Sequence, residues 1–204
     1  MGRDTLRERN KADKLNRIRD AARHLFGTRG FDLTSTRDIA TRADVGLATL
    51  FLYASDKRDL LFLACNEDLS ALTDRAYAAS IDQTSFAEKL EAFFREFYAF
   101  YGANRLLSKE VLRELTFYTT GMQSEKFQAN RQRTIERIEQ LVRFGRERGE
   151  VESASLDADI ARLLFYVFAA EVRRWLGSAN MSEDEGLHDL MRLIRIVFAG
   201  LERA

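Results

Sequence analysis

Residues 34–53 read Thr-Ser-Thr-Arg-Asp-Ile-Ala-Thr-Arg-Ala-Asp-Val-Gly-Leu-Ala-Thr-Leu-Phe-Leu-Tyr, and the fold of the chain is decided in this stretch. Ser35 followed three positions on by Asp38 marks a helix start. The hydroxyl accepts from the third helical amide, and the acid reaches back to the serine amide. The helix so opened ends near Arg42. Ala43-Asp44-Val45 then makes a turn, and a second short helix begins at Gly46 and runs to about Tyr53. Upstream, Leu15, Ile18, Ala22, Leu25 and Phe26 recur at helical spacing. A longer helix therefore spans about Lys11 to Arg29, and Gly30 ends it as a left-handed cap. Two short helices joined by a tight turn and packed on a longer one make a helix-turn-helix module.

Beyond this module the segments lengthen, with helices expected near 57–79, 85–103, 107–120, 123–148, 156–176 and 183–202. The chain contains 0 prolines in 204 residues, as suits helices joined by short turns, and no alternating strand pattern occurs. The expected fold is all-α, with about nine helices. Its organisation is a flexible basic arm at 1–10, a helix-turn-helix DNA-binding domain at 11–55, and a larger helical body at 56–204. The helix at 57–79 joins the two.

Formal net charge is +0, but it is unevenly spread. Residues 1–30 hold nine bases and four acids, +5, which leaves −5 for the rest. A basic end on an acidic body is expected when one part faces phosphate. The single cysteine, Cys65, excludes an internal disulfide; among Leu61, Phe62, Leu63 and Ala64 it reads as a buried, inert thiol. No apolar run reaches the roughly 18–20 residues that span a bilayer, and the charged first residues do not resemble a signal peptide. A cytoplasmic protein is expected, with no membrane contact.

In detail, residues 18–61 resemble the N-terminal domain of the bacterial tetracycline-repressor family. The likeness runs through Ile18 to Phe26, Arg29-Gly30-Phe31, residues 34–40, Ala43-Asp44-Val45, residues 46–53 and residues 55–61. It implies that Thr36, Arg37, Tyr53 and Lys57 contact the DNA backbone. It also implies that Gly46, Leu47, Ala48, Thr49 and Leu52 face base edges in the major groove. The residue types agree, since hydroxyl, guanidinium, phenol and ammonium groups suit phosphate. There are departures. Asp44 stands where glycine is usual, and aspartate tolerates the left-handed conformation. Gly46 replaces a hydroxyl cap, at a cost of a few tenths of a kcal/mol. Thr36 stands where an apolar residue is common. Leu47 and Leu52 replace polar residues, so specificity is expected to lean on thymine methyls, Thr49 and DNA shape.

In the body, Phe86, Leu90, Phe93, Phe94, Phe97 and Tyr101 form one stripe, flanked by Tyr98 and Phe100. Either a thick core or an effector cavity explains so wide an apolar arc; the resemblance favours a cavity for a small hydrophobic or aromatic effector. Its expected walls are Phe93, Phe97, Tyr101, Leu115, Tyr118, Met122, Phe165 and Phe168, with Asn104, Arg105, Thr116 and Glu171 as polar anchors. Residues 163–170 are apolar all round, and the last helix is apolar over more than a third of its circumference. Such helices suit a subunit interface, and the resemblance implies a homodimer built on them. The expected interface residues are Leu164, Phe168, Leu190, Ile194, Val197, Phe198 and Leu201.

The expected function is a ligand-responsive transcriptional repressor that binds a palindromic DNA operator as a homodimer. An enzyme or carrier using the aromatic region is the competing class. His24 and His188 are isolated, and no metal-spaced cluster, phosphate loop or nucleophile motif occurs. No enzyme, catalytic residue, metal or cofactor is therefore expected. A helical protein that binds only another regulator is the third class.

Overall fold

A computed structural model describes residues 2–201; the side chains of residues 2–5, 116 and 201 lie outside that description. Among the described residues there is no strand. The helices are α1 (Gly2–Arg29), α2 (Thr36–Arg42), α3 (Leu47–Leu50), α4 (Lys57–Ile81), α5 (Phe86–Ala103), α6 (Arg105–Glu114), α7 (Ser124–Glu147), α8 (Asp157–Gly177) and α9 (Glu183–Leu201). A short 3-10 turn, Leu115–Phe117, follows α6. The chain folds as two compact units. The first runs to Asp68 and takes in Leu106–Gln128; the second comprises Leu69–Arg105 and the chain from Ala129 onward. Helix α4 passes from one to the other. The start of α4 and the α6 region pack with the helix-turn-helix in the first unit.

Three element bounds differ from expectation. Residues 2–10, expected as a flexible arm, continue α1. Their polarity gives no packing signal, yet Leu6, Arg7, Glu8 and Arg9 are strong helix formers with no breaker among them. Helix α3 is a single turn; Phe51 to Tyr53 follow it with tighter bonds, Leu52 N to Thr49 O at 3.1 Å and Tyr53 N to Leu50 O at 3.0 Å. Helix α6 stops at Glu114 rather than near residue 120.

In the first unit, Ile18, Leu25 and Phe26 of α1 pack with Ile39 and Leu50, all buried. Ala40 and Ala43 are buried where the helices approach, as their small size allows. The capping box forms as expected: Ser35 Oγ accepts from Asp38 N at 3.1 Å, and Asp38 Oδ2 accepts from Ser35 N at 2.9 Å. These bonds, the Ser35 hydroxyl first, hold the Asp38 carboxyl below its usual range. Asp44 takes φ 51°, the left-handed turn conformation. Arg17 holds it there, Nη1 reaching Asp44 O at 3.3 Å and Oδ2 at 3.2 Å.

In the second unit, α5, α8 and α9 surround an aromatic core. Phe93 meets Phe97 at 5.2 Å, and Phe168 stacks on Phe94 at 5.0 Å and meets Phe97 edge-on at 5.3 Å. Trp175 lies 4.8 Å from Tyr98, and its indole donates to Ser182 O at 2.8 Å. A Cβ at Gly186 would sit 2.6 Å from the Trp175 ring, so this position requires glycine. Buried Lys89 donates to Ser80 O at 3.0 Å and Ile81 O at 2.6 Å, closing the C-terminal end of α4.

Candidate nucleic-acid interface and body sites

Helices α2 and α3 pack through Ile39, Ala40 and Leu50 and leave their other faces free. Gly46, Leu47, Ala48 and Leu52 are exposed, Leu52 by 73%, while Thr49 is half-buried. Gly46 opens α3 without a side-chain bond. Arg37 is exposed and Thr36 half-buried at the start of α2. These residues form one exposed surface, poor in hydrogen-bonding groups over α3 and bordered by polar side chains. Phe51, 42% exposed, was not among the expected DNA-facing residues and belongs to the same apolar strip.

The remaining two expected DNA-binding residues are tied to the protein. Tyr53 donates its hydroxyl to Lys11 O at 3.3 Å. Lys57 donates to Phe31 O at 2.9 Å and lies 4.3 Å from the centre of the Phe31 ring. Each stays half-buried, so phenol and ammonium are held at the edge of the surface.

Beneath it lies a group that sequence reasoning missed. Asp59, in the first turn of α4, is fully buried. It accepts from Ser55 N at 2.8 Å, Ser55 Oγ at 2.6 Å, Met122 N at 2.9 Å, Gln123 N at 3.3 Å and the Tyr118 hydroxyl. Burial alone would raise its pKa, but these bonds, Ser55 and Tyr118 foremost, outweigh burial and hold the carboxyl below its usual range. Burial, together with the Asp59 charge, pushes the Tyr118 phenol upward. Gln123 Nε2 donates to Tyr53 O at 3.3 Å, so segment 118–123 is fastened to both the start of α4 and the end of the helix-turn-helix. Only the acid at the third helical position of α4 hinted at this.

The expected effector residues divide between the units. Phe93, Phe97, Tyr101 and Phe168 are buried in the second, with Phe165 half-buried beside Phe168. Tyr118, Leu115 and Met122 belong to the first: Tyr118 is buried and stacked 3.9 Å from Phe62, Leu115 is half-buried, and Met122 is exposed. Of the polar anchors, Arg105 donates to Ser178 O at 2.7 Å, and Glu171 meets Arg174 at 2.7 Å. Asn104 is exposed, and the Thr116 side chain lies outside the described residues.

The expected interface residues also divide. Leu164, Phe168, Leu190 and Ile194 are buried inside the protomer, and Phe198 packs edge-on against Phe86 at 5.3 Å. Val197 is half-buried, and the Leu201 side chain lies outside the description. Among the described residues of α8 and α9, the large apolar side chains left uncovered are Leu163, Tyr166 and Ile196, exposed by 39%, 49% and 60%. Cys65 is buried and its thiol pushed up to about 12 by burial, which leaves it unreactive. Among the described residues no acidic, cysteine or histidine cluster could hold a metal, and no helix is long and apolar enough to cross a membrane.

Residues 18–64, which hold the helix-turn-helix and the first turns of α4, match the model of the bacterial regulatory proteins of the tetR family. The N-terminal segment belongs to the tetR family. Its members are transcriptional regulators rather than enzymes. The chain is 24% identical over 178 residues to the transcriptional repressor KstR of Mycobacterium tuberculosis, covering 86% of this chain and 74% of that one. Two solved structures share the fold. The fatty acid degradation regulator FadR from Bacillus halodurans has a TM-score of 0.71 at 20% identity, covering 89% of this chain and 94% of its own. The FadR of Thermus thermophilus, in complex with lauroyl-CoA, has 0.70 at 22%, covering 89% and 93%.

Proposed function

We propose that this regulator is a repressor that binds a roughly palindromic operator as a homodimer and leaves it when an apolar effector enters the body. The observation that carries the reading is the exposed surface of α2 and α3 within a segment that matches the tetR-family model. On this reading Thr36, Arg37, Tyr53 and Lys57 hold the phosphate backbone. Gly46, Leu47, Ala48, Thr49 and Leu52 meet base edges.

The effector would enter among Phe93, Phe97, Tyr101, Phe165 and Phe168, parting rings that now touch one another. An acyl thioester is the first compound to try, since the Thermus thermophilus FadR is described with lauroyl-CoA. Leu115, Tyr118 and Met122 are assigned to the segment that responds. Helix α4 runs through both units, and displacing it would alter the setting of the helix-turn-helix; a coupling of a few kcal/mol suffices.

The test is selection of bound fragments from sheared genomic DNA, followed by release with lauroyl-CoA. Recovery of a few palindromic sites that the thioester releases supports the reading. Recovery of none, with and without cell extract, contradicts it. The apolar strip makes a further prediction. Leu47→Ala with Leu52→Ala should cost about 1 kcal/mol for each thymine methyl left uncovered and reorder operator variants in a competition assay. An unchanged ranking would show that these leucines do not read bases.

A further inference from the structure

The N-terminal part of α1 carries a charged face that the packing of the helix-turn-helix does not use. Arg7, Lys11 and Lys14 lie at i, i+4 and i+7, within about 60° of one another around the helix. With Leu52 and Tyr53 they line an open groove of about 960 Å³. The bond from the Tyr53 hydroxyl to Lys11 O, 3.3 Å, ties the two walls together.

Of the nearby acids, Asp13 is already taken, while Glu8 forms no ion pair among the described residues. Asp13 meets Arg17 Nε at 3.2 Å, and Arg17 also meets Asp44 at 3.2 Å. Among the described residues Arg7, Lys11 and Lys14 form no ion pair. Three exposed cations along one wall of an open groove present a row of positive charge that suits a chain of negative charges. The other wall includes Leu52, an exposed residue of the surface assigned to base edges, so a duplex seated on that surface passes the mouth of the groove. At 1.5 Å per residue the stripe is about 10 Å long. About three phosphates of one DNA strand fall within that axial advance.

We infer that this face of α1 is a second DNA contact, gripping the phosphate backbone beside the segment read by α3. The inference rests on the DNA-binding reading above and adds to it a site in residues 7–14. It is a contact of charge with backbone, so it adds affinity irrespective of flanking sequence.

The test measures binding to a genomic duplex recovered by selection and to the same duplex with its flanks replaced, across a range of salt. Lys11→Ala should lower the salt slope by about 0.9 per bound protomer, and the triple variant R7A/K11A/K14A by about 2.7. Both changes should be equal on the two duplexes. Arg9→Ala removes one charge from the opposite face of α1 and should leave the slope as it was. Circular dichroism should show the same helicity in every variant, because all these positions are exposed. If the triple variant keeps the wild-type slope, or if Arg9→Ala lowers it as much as Lys11→Ala, the groove site is refuted while the DNA-binding reading stands. A weakening confined to one flank sequence refutes backbone binding by this face. If the wild-type protein binds no duplex, the DNA-binding reading fails and this inference with it.

Discussion

Asp59→Asn should lower stability by about 3 kcal/mol, seen as a shift of the urea midpoint. The carboxylate accepts from five donors at a fully buried position. An amide offers one acceptor oxygen and turns its own N–H groups toward those donors. The pH dependence follows from the same geometry. The folded carboxyl titrates below its usual value, so the unfolded chain takes up the proton first as pH falls. The contribution is therefore complete above about pH 5, declines as pH drops through about 4, and is lost below the folded value. In Asp59→Asn this part of the acid dependence should vanish. Gly121→Ala is the companion: Gly121 has φ +125°, and a Cβ there would collide with Asp59 Oδ1. A wild-type midpoint in both variants would mean that the Asp59 group does not fasten segment 118–123.

The second large effect concerns assembly. Leu163 and Tyr166 share a face of α8, and Ile196 is exposed on α9. If these residues seat a second copy of the chain, Leu163→Glu with Ile196→Glu should give a folded monomer in sedimentation. Operator affinity should fall to the non-specific level, about 10³-fold or more weaker, because a single helix-turn-helix reads only half of a palindrome. Leu190→Glu is expected to behave differently. Leu190 is fully buried in its own protomer, so a charge there should disturb folding rather than association alone. A dimeric, tightly binding double variant would place the interface elsewhere.

The features behind these effects differ in how visible they are in the sequence. The capping box at Ser35, the cap at Gly30 (φ +84°) and the left-handed turn at Asp44 are local, set by a few neighbouring residues, and all three are readable from sequence. The general course of α4, α5, α7, α8 and α9 is readable from apolar spacing. The exposed phase of α8 is not. Residues 163–170 are apolar all round, so nothing local separates Leu164, which is buried, from Leu163, which is exposed. The helical course of residues 2–10 is hidden because solvated helix and polar arm have the same composition. The Asp59 group is hidden because its partners Ser55, Tyr118, Met122 and Gln123 come together only through the fold. That same packing joins α6 and the following segment to the unit that holds the helix-turn-helix.

Two copies of this helix-turn-helix are expected to read one DNA site. Footprinting of the protein on a duplex recovered by selection tests it most directly. Two related half-sites should be protected, their centres one helical turn apart or a multiple of it, about 34–36 Å per turn. Protection of one isolated half-site, or uniform protection without half-sites, would contradict the account.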